Sequence, residues 1–167
     1  MLEEPELYIR IKKWLDAKGW KVVGGQPPGG TNIIPLIELH DPEFKAKGSI
    51  GSKKIDVVSY RESYFLLVEL KPLRSLSDIK KLNTIVAESK WRLAFVRTLK
   101  ERNIWKALAP VDENRYLTEP TYYIKGVGFN DTGRIGPRDF VTFLFTGEGI
   151  KVKLGPNLPE AVRYLFI

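Results

Sequence analysis

Two runs of strand-forming residues, Lys54 to Tyr60 and Tyr64 to Lys71, are separated by only Arg61-Glu62-Ser63, and so short a link points to an antiparallel hairpin. With the turn centred between Glu62 and Ser63, facing residues have numbers that sum to 125, which sets Asp56 directly opposite Glu69. The same register pairs Val58 with Leu67 and Tyr60 with Phe65, so the acids interrupt an otherwise apolar face. Strand side chains alternate, so Glu69 and Lys71 project from one face and Val68 and Leu70 from the other. Two carboxylates about 5 Å apart repel unless a cation or a proton stands between them.

Helical and extended patterns flank the hairpin. From Pro5 to Lys18, Leu7, Tyr8, Ile11, Trp14 and Leu15 recur at helical spacing, with Pro5 suited to a first turn and Gly19 to a C-terminal cap. Trp20 to Val23 reads as the start of a strand, Gly24 to Gly30 as a flexible loop, and Ile33 to Leu39 as an edge or bulged strand broken by Pro35. Downstream, Ser75 to Ser77 offer N-caps for a helix with Leu76, Ile79, Leu82 and Val86 on one face, ending near Ser89. The succession Leu93-Ala94-Phe95-Val96 predicts a buried strand over 92–98, and a short helix is expected over 99–108. After Ala109-Pro110, three short strands are expected over 121–129, 140–146 and 150–154. These assignments predict an α/β protein with a mixed central sheet flanked by helices, a core over 1–110 and a β-rich extension of the same domain over 111–167.

Composition narrows the chemistry. The 167 residues suit one domain with a sizeable core, and the absence of cysteine excludes disulfides, thiolate metal sites and thiol nucleophiles. One histidine, His40, rules out a His-rich zinc site; it reads as a loop residue and stays outside the expected site. Glu3, Glu4 and Pro5 stand where a signal peptide would need basic and then apolar residues, and no apolar run approaches a membrane span, so a cytoplasmic location without membrane partners is expected. The net charge of +7 suits either a phosphate-binding face or a solvated lysine-rich surface.

Magnesium takes a few carboxylate oxygens and leaves its other octahedral positions to water and substrate phosphate. Asp56 and Glu69, with the Leu70 backbone carbonyl, can supply such a set, and Lys71 is placed to orient water or steady charge on a phosphate. Asp56 followed across a hairpin by Glu69-Leu70-Lys71 is similar to the signature of the PD-(D/E)xK, or restriction-endonuclease-like, nucleases. That superfamily carries the motif in a core of helix, three antiparallel strands, helix and strand, and the order read over residues 5–98 is the same. The resemblance implies a magnesium-dependent endonuclease, with manganese able to substitute, that hydrolyses phosphodiester bonds through metal-activated water. Double-stranded or branched DNA is the favoured substrate on family frequency, and a homodimer is implied by many relatives. The resemblance also implies a further acid on the first helix, assigned to Glu4 because it continues the stripe of Tyr8, Ile11 and Leu15, with Glu3 as competitor.

Lys54, Lys80, Lys81 and Arg92 are the expected nucleic-acid contacts, within a larger basic group around the second helix that has Trp91 and Trp105 interleaved. The plainer alternatives are solvated lysines, tryptophans that belong to the core, and an Asp56–Lys71 or Glu69–Lys54 ion pair that merely holds the hairpin. A catalytically silent nucleic-acid-binding or assembly subunit and an RNA-processing endonuclease are the alternative functions.

Overall fold

A computed structural model describes residues 1–28, 34–43, 51–108, 110 and 112–167. Helix α1 (Glu4–Ala17) begins with Pro5 in its first turn and buries Leu7, Tyr8, Ile11 and Leu15. It stops at Gly19, whose φ of +87° a residue with Cβ adopts only at a cost. The Trp20 N–H then reaches back to the Leu15 carbonyl at 2.9 Å, which closes the helix end and drops Trp20 into the same apolar cluster as Leu15.

The chain continues as β1 (Lys21–Gly25), β2 (Glu38–Leu39), β3 (Lys53–Lys54), β4 (Val57–Arg61) and β5 (Tyr64–Leu70). Glu62 and Ser63 link β4 to β5 with φ of +47° and +76°, the left-handed pair that a two-residue type I′ hairpin requires. The register pairs Val57 with Val68, Val58 with Leu67 and Tyr60 with Phe65, as the turn position predicts. Then come α2 (Leu76–Ala87), α3 (Ser89–Glu101), α4 (Ile104–Leu108) and α5 (Glu113–Thr118), followed by β6 (Tyr123–Asn130), β7 (Val141–Phe145), β8 (Ile150–Leu154), α6 (Glu160–Arg163) and a 3-10 turn, Tyr164–Phe166.

Six strands form one mixed sheet in the order β1-β4-β5-β6-β7-β8. β6 runs parallel to β5 and to β7, and the other neighbouring pairs are antiparallel. A parallel neighbour cannot be reached by a tight turn, and the crossover from β5 to β6 is the whole α2–α5 segment. Those helices cover one face, where Phe65, Leu67, Val127 and Phe129 pack with Leu82, Ile85 and Phe95. The other face packs Leu66, Val68, Ile124 and Phe143 against Leu7, Ile11 and Leu15 of α1.

The expected strand over 92–98 is instead the middle of α3, in which Trp91, Arg92, Ala94, Phe95, Val96, Thr98 and Leu99 are all buried. A helix enclosed on most sides loses its polar stripe, and its apolar run then looks like a buried strand. The order of helix, three strands, helix and strand read over residues 5–98 therefore lacks its last strand there, and the parallel neighbour of β5 is β6. Residues 123–154 therefore supply three of the six strands of the central sheet, which crosses the expected boundary near residue 110 without a break. Of the strand expected over 33–39, Ile33 lies outside the described residues, Glu38 and Leu39 pair with Lys53 and Lys54 in a separate ribbon, and Leu36 makes an isolated bridge to Gly25. Among the described residues no helix is long and apolar enough to cross a membrane.

Candidate active site

Asp56 immediately precedes β4, where the hairpin register carries it opposite Glu69. The Asp56 N–H donates to Oε2 of Glu69 at 2.8 Å, and the Leu70 N–H donates to Oδ2 of Asp56 at 2.8 Å. Each carboxylate is thus pinned by the backbone of the other's strand. On the far side, Gln26 N–H donates to the Asp56 carbonyl at 3.0 Å. The approach is close because Gly25 has no side chain: a Cβ there would stand 2.2 Å from the Asp56 carbonyl oxygen. In an extended strand the N–H and C=O of one residue point to the same side, so the Leu70 carbonyl faces the edge where Asp56 sits.

Glu69 is buried, with 2% of its side chain exposed. Its Oε1 contacts the Lys81 ammonium, which also donates to the Lys54 carbonyl at 2.8 Å. Lys71, one pleat beyond Glu69 on the same face, places its Nζ 3.2 Å from Oε1 of Glu4 at the start of α1. Neither ion pair offered as a plain alternative forms: Lys54 pairs with Glu38 at 3.5 Å, Lys71 with Glu4 and Glu69 with Lys81. Asp78 in the first turn of α2 is the remaining acid, only 8% exposed.

Four carboxyls, those of Glu4, Asp56, Glu69 and Asp78, share this end of the sheet with two amines, Lys71 and Lys81, an excess of two negative charges when all are ionised. Burial pushes the Asp56 carboxyl above the ordinary aspartate range, against the Leu70 amide and the nearby Lys81 and Lys71. Lys71 is raised by its hydrogen bond to Glu4, which keeps it an ammonium. Lys81 is lowered by burial, with Asp56 opposing.

Asp78 is also raised by burial, against Lys71. A carboxyl whose folded pKa exceeds its unfolded value keeps its proton longer in the native state, so ionising it costs stability as pH rises from about 4 through the folded value. Asp78→Asn is therefore expected to raise the melting temperature of metal-free protein by a few degrees at about pH 7.5, with the gain vanishing toward about pH 4. Melting curves across that range that show no pH-dependent difference would refute the strain at Asp78.

The donor set suits magnesium in part. Asp56 and Glu69 supply two carboxylates fixed across one hairpin, and Oδ1 of Asp56 makes no hydrogen bond among the described residues. Both oxygens of Glu69 already have partners, Oε1 the Lys81 ammonium and Oε2 the Asp56 N–H, which an ion held there would have to share or displace. Among the described residues no three acidic or histidine side chains enclose an ion-sized space. The site therefore offers an open, two-carboxylate seat, compatible with an ion that keeps most of its water.

The basic residues separate by role. Lys80 is exposed on α2 and Lys54 half-exposed beside Glu38. Lys81 belongs to the acidic cluster. Arg92, expected at nucleic acid, is instead a core residue: 5% exposed, it donates to the carbonyls of Val86 at 2.7 Å and Leu117 at 3.3 Å. It ties α3 to the ends of α2 and α5. Trp91 and Trp105 are buried, the plainer of the two alternatives for them. His40 is exposed, with Glu38 at 3.3 Å.

Asp78 and the placement of Lys81 against Glu69 were not anticipated. Asp78 reads as an ordinary helix-start acid, because the Ser75 hydroxyl does accept its N–H at 3.3 Å. The available signal was the three-residue spacing to Lys81, which puts both on one helix face next to the apolar stripe of Leu82 and Ile85. Comparison with protein-family models, with curated proteins and with solved structures returned no match.

Proposed function

We propose that this chain is a magnesium-dependent endonuclease that hydrolyses phosphodiester bonds, with DNA as the favoured substrate. The observation that carries the proposal is the reciprocal pinning of Asp56 and Glu69 across one hairpin, with the Lys71 ammonium held by Glu4 at the same end of the sheet. Structural acids are seldom paired with each other in so apolar a setting, because their repulsion has to be offset.

Asp56 and Glu69 would hold the ion, with the Leu70 carbonyl beside them. When bound, magnesium lowers the pKa of water and neutralises charge on the phosphate. Lys71, held by Glu4, serves as a positive charge for the phosphate oxygens in the transition state, and the Glu4 hydrogen bond raises its pKa and favours the ammonium. Glu4 acts through Lys71 as a positioning residue.

One observation favours a second reading. Lys81 already neutralises Glu69, as a chain that has given up metal chemistry and kept the fold for binding nucleic acid would require. Cleavage of single-stranded, duplex and branched DNA and of RNA, in magnesium, in manganese and in chelator, separates the two. Cutting is expected with either metal, should fall to background in chelator and return when magnesium is restored. Cleavage that persists in chelator would exclude the metal mechanism, whereas magnesium binding without cleavage of any substrate would establish the silent subunit.

A further inference from the structure

The outer half of the sheet carries a second cluster of charge. On β8, Lys151 and Lys153 project from the face opposite Ile150, Val152 and Leu154, which pack with the α1 side. Cross-strand register places Lys153 beside Thr142, Thr142 beside Val127 and Val127 beside Glu69. Lys151 lies beside Leu144, and Leu144 beside Phe129, one step past the Leu70–Gly128 pair and so level with Lys71. The two lysines therefore share the face and the transverse rows of Glu69 and Lys71, three interstrand spacings away, about 14 Å.

The loop between β6 and β7 walls this face and adds Arg134 and Arg138, enclosing a cleft of about 450 Å³ floored by Thr142 and Leu144. Close packing holds the loop in place. A Cβ on Gly136 would overlap the Thr142 hydroxyl, and one on Gly155 would stand 2.2 Å from the Arg138 carbonyl oxygen. The Asn157 N–H donates to that same carbonyl at 2.9 Å, and the Asp131 N–H donates to the Phe145 carbonyl at 2.9 Å. Of the four cations, Lys151 has Asp131 at 3.6 Å, while Arg134, Arg138 and Lys153 have no carboxylate partner among the described residues.

Three unpaired cations gathered over a concave floor repel one another, and an occupant with several negative charges relieves that repulsion. We propose that this cleft binds the phosphate backbone of a nucleic-acid strand and holds the substrate flank on the face that carries Asp56 and Glu69. The identity of the occupant rests on the nuclease reading; the unpaired charge does not. Lysines two residues apart on β8, about 7 Å from each other, follow an extended backbone, and contacts to phosphate carry no sequence information. The contact is thus expected to be independent of sequence.

Equilibrium binding of labelled duplex DNA, single-stranded DNA and RNA to the full chain, in chelator and over a range of salt, tests the assignment. Arg138→Gln with Lys153→Gln is expected to weaken binding of the preferred nucleic acid about tenfold near 0.1 M salt and to lower the slope of log affinity against log salt by about 1.5 to 2. Lys13→Gln with Lys106→Gln removes the same charge elsewhere and should change neither by as much. Unchanged melting temperatures verify folding, and Arg134→Gln with Lys151→Gln supplies a second pair should the first melt early. Full affinity and slope in both cleft pairs would overturn the assignment, as would binding of phosphatidylserine vesicles in place of nucleic acid. Wild-type cleavage with unaltered binding in the cleft pairs would sink the cleft alone. Cleft-dependent binding without metal-dependent cleavage would sink the nuclease reading alone.

Discussion

Asp56→Asn is expected to lower the rate of metal-dependent cleavage by about a thousandfold or more, the scale set by losing a carboxylate that both seats the ion and fixes its partner acid. The asparagine retains a carbonyl oxygen to accept the Leu70 N–H, and the Asp56 backbone N–H still donates to Glu69, so the hairpin stays in register. Its stability should shift the opposite way to its activity. The Asp56 carboxyl is held above its ordinary pKa, so its ionised form costs folding free energy at neutral pH, and the neutral amide is expected to melt a few degrees higher without metal. Millimolar magnesium should narrow that gap by stabilising the wild type more than the variant, since only an ion bound to the native state shifts its unfolding. Paired melting and cleavage curves decide the matter. A variant that melts higher and still cuts at the wild-type rate would leave Asp56 a strained residue without a catalytic task.

Gly25→Ala is expected to be the most destabilising methyl addition near the site. The new Cβ meets the Asp56 carbonyl oxygen at 2.2 Å, and the obstacle is backbone rather than a flexible side chain. Gly25 also has a φ of +153° and exchanges bonds with the 35–37 segment, its N–H to the Pro35 carbonyl at 2.9 Å and its own carbonyl from the Ile37 N–H at 3.0 Å. Overpacking and an unfavourable φ together cost about 3–5 kcal/mol, which lowers the melting temperature by roughly 10 °C. Relief requires β1 and Asp56 to separate, which stretches the Gln26 N–H bond to the Asp56 carbonyl and lets Asp56 shift, so cleavage should fall even where the protein stays folded. Thermal unfolding within a degree or two of the wild type would show that the β1–Asp56 contact is looser than described.

Much of the site was legible because it depends on short-range features. The two-residue turn at Glu62-Ser63 sets the register of β4 against β5, and one residue of slip would have sent Glu69 to the opposite face. An acid on α1 was implied by the family resemblance and assigned to Glu4 by the apolar stripe, and its ammonium partner proves to be Lys71. Lys81 was recognised as basic but expected on the surface. Its contact with Glu69 depends on how α2 settles on the sheet, a relation between elements that no local pattern encodes.

The errors have the same origin. Leu93 to Val96 carries no period that separates a buried helix from a buried strand, because the solvent that would mark one face is excluded from most sides of α3. Arg92 looked like a surface cation because guanidinium groups usually are; its burial depends on carbonyls left open at Val86 and Leu117 by helix ends that meet only in the folded chain. Gly24 and Gly25 looked like flexible loop, yet they complete β1, where their lack of side chains admits Asp56 and Ile37.

Turn geometry, helix periodicity and strand alternation act over a few residues, and through them the sequence by itself determined α1, the β4–β5 hairpin and the facing of Asp56 with Glu69. Which strand lies beside β5, which charges are drawn into the acidic cluster and where the unpaired cations gather were decided only by the tertiary structure. Those outcomes depend on contacts between separate elements, such as β5 with β6, whose free energy arises from excluding water between surfaces that do not exist until the chain has closed.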